Sequence, residues 1–139
     1  MNGNGFVTLL LHSPFQGALS ANTMLITVTG RKTGKKITTP VNYYQEGDTV
    51  WVISRRERTW WRNARHGASV KLYLRGKELR AVSNVLEEGE SVVNGLDKYL
   101  QHFPASARYL HVRMDQGIPN ADDLRNATGT EIVVCIKVC

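Results

Sequence analysis

Between residues 69 and 76 the chain alternates, with Val70, Leu72 and Leu74 on one face and Lys71, Tyr73 and Arg75 on the other. A period of two predicts a half-buried β-strand. After Arg75-Gly76-Lys77, residues 77–86 predict its hairpin partner. The β-branched, apolar run MLITVTG (24–30) predicts another strand. KITTPVNYYQ (36–45) predicts the next, with Pro40 marking an edge or a bulge. Glu46-Gly47-Asp48 reads as a turn, and residues 49–54 and 130–138 complete the strands. Residues 87–103 form the best helix candidate, with Glu88 and Glu90 suited to its first turn and Lys98 to its last. A further helix is expected over 105–112, and a loop or short helix over 115–129. FVTLLLHSPF predicts a short leading helix stopped by Ser13-Pro14, and a second short helix is expected over 15–19. Short strands joined by tight turns, with helices set apart, predict an α+β fold: a barrel of about six mostly antiparallel strands with flanking helices.

Composition narrows this picture. A chain of 139 residues, 42% of them hydrophobic, fits one domain over 1–139 with one core. No apolar run reaches 18 residues, so no transmembrane segment is expected. FVTLLL has no basic flank and is short for a secretory leader, so a cytoplasmic protein is expected. Cys135 and Cys139, four apart on a strand, read as free thiols of a reducing compartment.

Charge changes the picture more. The net charge is +6, but residues 31–80 hold 13 of the 18 Lys and Arg against four acids. That segment is +9 and the remainder −3. Such a field attracts phosphates, carboxylates or nucleic acid. Its densest part is Gly30-Arg31-Lys32-Thr33-Gly34-Lys35-Lys36, lying between two strands. Only three residues separate the glycines and a strand follows, so this is not a nucleotide P-loop. The turn can still form an anion nest of backbone N–H groups, with Arg31, Lys32, Lys35 and the Thr33 hydroxyl beside it. A second constellation is Ser54-Arg55-Arg56-Glu57-Arg58-Thr59-Trp60-Trp61-Arg62-Asn63. One tryptophan is expected to face the core and the other a flat ring or a pocket edge. His12, His66, His102 and His111 fall in separate elements, and no metal spacing appears. No nucleophile elbow or Ser/His/Asp set appears either. Chemistry here therefore points to a bound cofactor.

MLITVTGRKTGKKITTPVNYY, TVWVIS and WWRNARHGASVKLYLRGKELRA resemble, in order, the deazaflavin (F420)-dependent nitroreductase family. The hairpin matches its TTTGRKSGKPRTTPL motif; LLLHSPFQGALS resembles its helical lead-in and TGTEIVVCIKV its closing strand. The resemblance implies the split β-barrel shared with FMN-binding pyridoxamine phosphate oxidases. It implies coenzyme F420, with FMN as the alternative, and hydride transfer to a nitro, quinone or activated-alkene substrate. Arg31, Lys32, Thr33 and Lys36 would then be ligands of the coenzyme phosphate and its acidic tail. Thr38, Thr39, Pro40 and Val41 would run along the ring. Ser54 and Arg55 would lie near the phosphate, and Trp60, Trp61 and Asn63 on the ring side. Ser54 and Tyr109 are the candidate proton donors, and Tyr99 and Tyr109 the candidate substrate-side tyrosines. Asn63 to Ala68 departs from the family's NLxxNP turn. A homodimer is the default by resemblance. Two rival readings are a non-catalytic binder of flavin, haem or a lipid acid, and a nucleic-acid-binding barrel stacking bases on Trp60 or Trp61.

Overall fold

A computed structural model describes residues 23–139; the two leading helices expected before residue 20 lie outside the described residues. Seven strands form one antiparallel sheet: β1 (Thr23–Thr29), β2 (Lys36–Asn42), β3 (Tyr44–Glu46), β4 (Thr49–Arg55), β5 (Ala68–Leu74), β6 (Lys77–Leu86) and β9 (Glu131–Val138). A 3-10 helix, Trp60–Ala64, precedes β5. Between β6 and β9 come α1 (Gly89–His102), a 3-10 turn at Pro104–Ser106, α2 (Ala107–Leu110), the two-residue strands β7 (Met114–Asp115) and β8 (Ile118–Pro119), and α3 (Ala121–Ala127).

The strand order is β2-β1-β5-β6-β9-β4-β3. Its two edge strands, β2 and β3, are consecutive in sequence and separated by Tyr43 alone. Laid flat, seven strands would put those edges about 29 Å apart. A one-residue link spans about 7 Å. The sheet must therefore curl until its edges meet, which makes a barrel. Tyr43 forms the corner and is buried in the interior.

Alternation fills that interior. Met24, Ile26 and Val28 of β1, Val50 and Val52 of β4, Val70, Leu72 and Leu74 of β5, and Ile132, Val134 and Ile136 of β9 all point inward. The intervening β9 residue Val133 points outward, beneath Val92, Leu96 and Leu100 of α1 and Leu124 of α3. The helices thus cover one outer face of the barrel, as an apolar stripe at i, i+4 and i+8 requires. Gly95 makes this contact possible. A Cβ there would stand 3.0 Å from both Val133 methyls.

Two expectations are corrected. The single strand over 36–45 is two, because the chain turns the corner at Tyr43. The helix over 105–112 is a 3-10 turn and one α-helical turn, stopped by His111 in the left-handed region at φ 57°. The seven strands of the sheet among the described residues agree with the expected barrel of about six, β3 being a short addition. Pro40 does sit on an edge strand, and Arg75 and Gly76 (φ 49° and 77°) make the two-residue turn between β5 and β6. Cys135 and Cys139 are free. Among the described residues no helix is long and apolar enough to cross a membrane.

Gly95→Ala gains helix propensity but must displace Val133 in a packed layer, where overpacking costs about 1–3 kcal/mol. The expected result is a net loss of about 1 kcal/mol, or about 4 °C in Tm. In a Val133→Ala background the same substitution should be neutral or stabilising. Paired thermal melts check both.

Candidate cofactor site

The corner leaves a gap. β3 pairs with β4 only through Thr49, Val50 and Trp51, so Val52 to Arg55 have no strand on that side among the described residues. Among the described residues β2 has β1 as its only neighbour. Two unpaired strand edges therefore face each other across the split, each with backbone N–H and C=O groups open to a ligand or water. A cavity of about 290 Å³ lies between them. Pro40, Val41 and Asn42 line it from β2, and Ile53, Ser54 and Arg55 from β4. Arg58 and Trp60 close one end, Tyr99, Ser106, Tyr109 and Leu110 come from the helical side, and Glu131 comes from the start of β9. This volume is at the small end of the range for ligand pockets, roughly 300–1,000 Å³. It suits a flat ring system and leaves any long charged tail outside.

The structure gathers Pro40, Val41, Ser54, Arg55, Trp60 and Tyr109 of the expected site residues around this cavity, together with Tyr99. The hairpin tip lies further along β2. Lys36 and Pro40 are four residues apart on that strand, about 13 Å. Several amides of the tip are already paired. Gly30 N–H donates to the Lys35 carbonyl (2.7 Å), Gly34 N–H to the Gly30 carbonyl (2.8 Å), and Lys35 N–H to Thr33 Oγ1 (3.2 Å). Arg31 N–H donates to Asn63 Oδ1 (3.1 Å), which fastens the tip to the 3-10 helix whose first residue lines the cavity. Among the described residues only the Lys32 and Thr33 amides of residues 30–35 lack such a partner, so the nest is narrower than the sequence suggests. The Arg31 and Lys32 side chains are exposed.

Four expected ligands are placed differently. Lys36 turns onto the outer face of the sheet, where Nζ donates to Thr29 Oγ1 (2.8 Å) beside Lys71 and Arg80. Thr38 is tied to Thr27 by a 2.8 Å hydroxyl bond. Thr39 does not line the cavity. Trp61 is sealed in the core at 2% exposure, its Nε1 without a partner, so its ring cannot stack on a ligand. Trp60 is 7% exposed and lines the cavity instead, as one tryptophan of the pair was expected to do. Neither indole therefore presents an exposed face on which a nucleic-acid base could stack, which the nucleic-acid reading had assigned to Trp60 or Trp61.

Arginines fix the frame of the site. Arg56 Nη2 donates to the carbonyls of Glu87 and Thr128, both 2.8 Å, and of Glu131, 3.3 Å. It thereby binds the end of β4 to the helical layer and to β9. Arg65 makes a two-point contact with Glu87, Nε to Oε2 at 2.9 Å and Nη2 to Oε1 at 2.7 Å. Its guanidinium also lies 4.9 Å from the Trp61 ring. This hydrogen bonding to Arg65 holds the Glu87 carboxyl below the ordinary range. Arg55 is exposed and paired only with Glu57 at 3.0 Å. Among the described residues Arg58 has no ion pair. Both therefore offer positive charge at the cavity mouth.

Sequence reasoning did not single out Asn42, Arg58 or Glu131 as site residues. Glu131 carried a signal. The period of β9 puts it on the same face as Val133 and Cys135, the face the helices cover. A lone acid on a helix-covered face needs an explanation.

A family model described as F420H(2)-dependent quinone reductase matches residues 12–137. The chain belongs to this family. Its members are F420-dependent oxidoreductases by description, which agrees with the family resemblance of the hairpin and strands. Among solved structures, an F420-H2-dependent reductase is similar at 22% identity, covering 86% of this chain and 96% of its own, with a TM-score of 0.57. A protein described as a domain-swapped dimer is similar at 20% identity, covering 96% of this chain and 95% of its own, with a TM-score of 0.57. One from Listeria innocua, named for pyridoxamine 5'-phosphate oxidase, is similar at 13% identity, covering 97% and 91%, with a TM-score of 0.55. These likenesses show the split β-barrel fold. No curated protein matches the chain.

Replacing Arg65 by Ala leaves Glu87 half-buried without its donor and uncovers the Trp61 face, at an expected cost of about 1–2 kcal/mol near neutral pH. The Glu87 part of that cost follows a depressed carboxyl. It is fully present above the unfolded value of about 4.3 and lost as pH falls through the lower folded value. Denaturant melts of both proteins should therefore converge towards acid pH.

Proposed function

We propose that this chain binds reduced F420 at the split and reduces an electron-poor acceptor of the quinone class. Nitro compounds and activated alkenes are acceptors of the same electronic type. The observation that carries this reading is the cavity between two unpaired strand edges, on a chain whose residues 12–137 match the F420H(2)-dependent quinone reductase family. The donor set fits the coenzyme. Free backbone groups of β2 and β4 suit a flat heterocycle edge, Trp60, Val41 and Pro40 suit its apolar faces, and Arg55 and Arg58 suit its phosphate. Arg31 and Lys32 stand in the β1–β2 turn, at the other end of β2 from the cavity, and would meet an anionic tail that extends along β2.

Bound there, the reduced coenzyme supplies a hydride. The chain's part is to hold ring and acceptor about 3 Å apart in a site with little water, which converts a bimolecular encounter into an oriented one. Asn63 holds the tip and so keeps the tail-binding side chains in line with the cavity. Trp60 keeps water from the buried side of the ring. Tyr99 is 5% exposed and forms part of the acceptor wall, and Tyr109, 78% exposed, stands at the entrance. Burial pushes the Tyr99 hydroxyl above its ordinary value, so it stays a neutral donor through the physiological range. The Ser54 hydroxyl donates to the Arg55 carbonyl at 3.2 Å and is the other neutral donor on the β4 side.

Titration of the protein with F420 and, separately, with FMN should quench tryptophan fluorescence with F420 at the lower concentration. Arg31→Ala combined with Lys32→Ala should weaken F420 binding by about tenfold or more, with an unchanged melting temperature, because charge-assisted contacts to a charged group contribute about 1.5–3 kcal/mol. Unchanged affinity in the double variant would remove the hairpin tip from the site.

A further inference from the structure

Among the described residues Glu131 is the one acid lining the cavity, and it lies at the first position of β9, opposite Arg55 in the β4–β9 register. Only 6% of it is exposed. Its Oε2 is buried with no hydrogen-bond partner among the described residues. Its neighbours explain why no cation forms an ion pair with it among the described residues. Arg56 directs Nη2 to three backbone carbonyls, including that of Glu131 itself. Arg55 Nε turns outward to Glu57. Thr130 is the one side chain that hydrogen-bonds the carboxyl, and Oε2 is left without a donor among the described residues. A buried carboxylate so poorly paired is costly, whereas a neutral carboxyl offers an O–H to whatever occupies the cavity.

We propose that Glu131 is the proton donor of this site, delivering its carboxyl proton to the acceptor oxygen as the acceptor is reduced. The role rests on the oxidoreductase reading above. In the reduction of a quinone, hydride from the reduced coenzyme brings two electrons and one hydrogen. The acceptor π system opens, and negative charge develops on its oxygen. That oxygen forms a bond to the proton as the Glu131 O–H bond breaks. The products are the hydroquinone, the oxidised coenzyme and a Glu131 carboxylate, which regains its proton from water at the cavity mouth. Arg55 and Arg58 are near enough to the cavity to stabilise the transient carboxylate without pairing with the resting acid. Ser54 is less suited, since its own proton already points to the Arg55 carbonyl. Tyr109 stands in solvent at the entrance.

Every group around Glu131 bears on its charge. From the end of β4 and the following turn come Arg55, Arg56, Glu57 and Arg58; from α1 comes Tyr99, and from α2 Tyr109. β2 presents Pro40, Val41 and Asn42, none of which titrates. Burial raises the Glu131 carboxyl and Glu57 adds to this, while Thr130, Arg55 and Arg56 act against it. With burial the largest influence, the acid is neutral at higher pH than a solvated glutamate.

Two measurements test the role. In pH-difference infrared spectra of the ligand-free protein, a protonated-carboxyl band should persist to higher pH than the bands of solvated glutamates, and should vanish in Glu131→Gln. A wild-type spectrum identical to that of the variant would overturn the proposal. In turnover of menadione with reduced F420, Glu131→Gln should lower kcat by about 100-fold, within the usual range for general acid catalysis, with unchanged F420 affinity. Glu131→Asp, which keeps the acid, should recover part of that loss and also serves if the Gln variant does not fold. The wild-type kcat should fall as pH rises through the Glu131 transition seen in the infrared, and that limb should be absent from Glu131→Gln. Equal turnover by wild type and Glu131→Gln would overturn the role alone. A wild-type protein that binds no F420 would overturn the oxidoreductase reading and this role with it.

Discussion

One residue forces this architecture. Tyr43 joins β2 to β3, and those strands are the opposite edges of a seven-stranded sheet. So short a link allows no flat sheet, and the curl it imposes buries the inward residues of β1, β4, β5 and β9 in one core. The same constraint makes the site. β3 is only three residues long, so it seals the lower part of β4 and leaves the upper part open opposite β2. A complete closure would satisfy every backbone group internally and leave nothing for a ligand. The split is where the barrel's hydrogen bonding stops.

The helical layer has a second task beyond covering the outer face. Arg56 ties β4 to the segment before α1, to the end of α3 and to β9, all through carbonyl oxygens. Arg65 ties the 3-10 helix to the same segment through Glu87. The cavity walls from β4, the 3-10 helix and β9 are therefore held by two guanidinium groups whose donors are committed inward. Arg55 and Arg58 are the cations left for a ligand. The +9 charge of residues 31–80 thus divides into structural arginines and available ones, a division composition cannot make.

The strands were legible because their signals were local. Alternation in 69–76, the Arg75-Gly76 turn and the edge position of Pro40 follow from period and turn chemistry alone. The break at Tyr43 was not legible, since Val41 to Gln45 reads as continuous strand and only the pairing of distant segments bends it. The same limit governs the site. Pro40, Val41, Ser54, Arg55 and Trp60 came from a motif that runs along two strands, and the cavity does gather them. Lys36 sits within the same motif, yet its strand parity turns it to the outer face. Adjacent tryptophans could not both reach a ligand from one turn of 3-10 helix, and the register of that turn decided which was sealed.

Glu131 shows why long-range chemistry escapes a linear reading. In sequence it is the polar start of an apolar strand, and such a residue is usually solvated. In the fold it closes the cavity floor more than 70 residues after Arg55, with α1 and α2 above it. Its unusual state depends on where two arginines are not. Arg56 Nη2 is engaged by carbonyls and Arg55 Nε by an exposed partner, so both guanidiniums act on the carboxyl from a distance without pairing with it, and burial outweighs them. A site that carries cations for an anionic coenzyme and still keeps one acid unpaired must separate the two by hydrogen-bond competition. The carbonyl cluster at Glu87, Thr128 and Glu131 provides that separation.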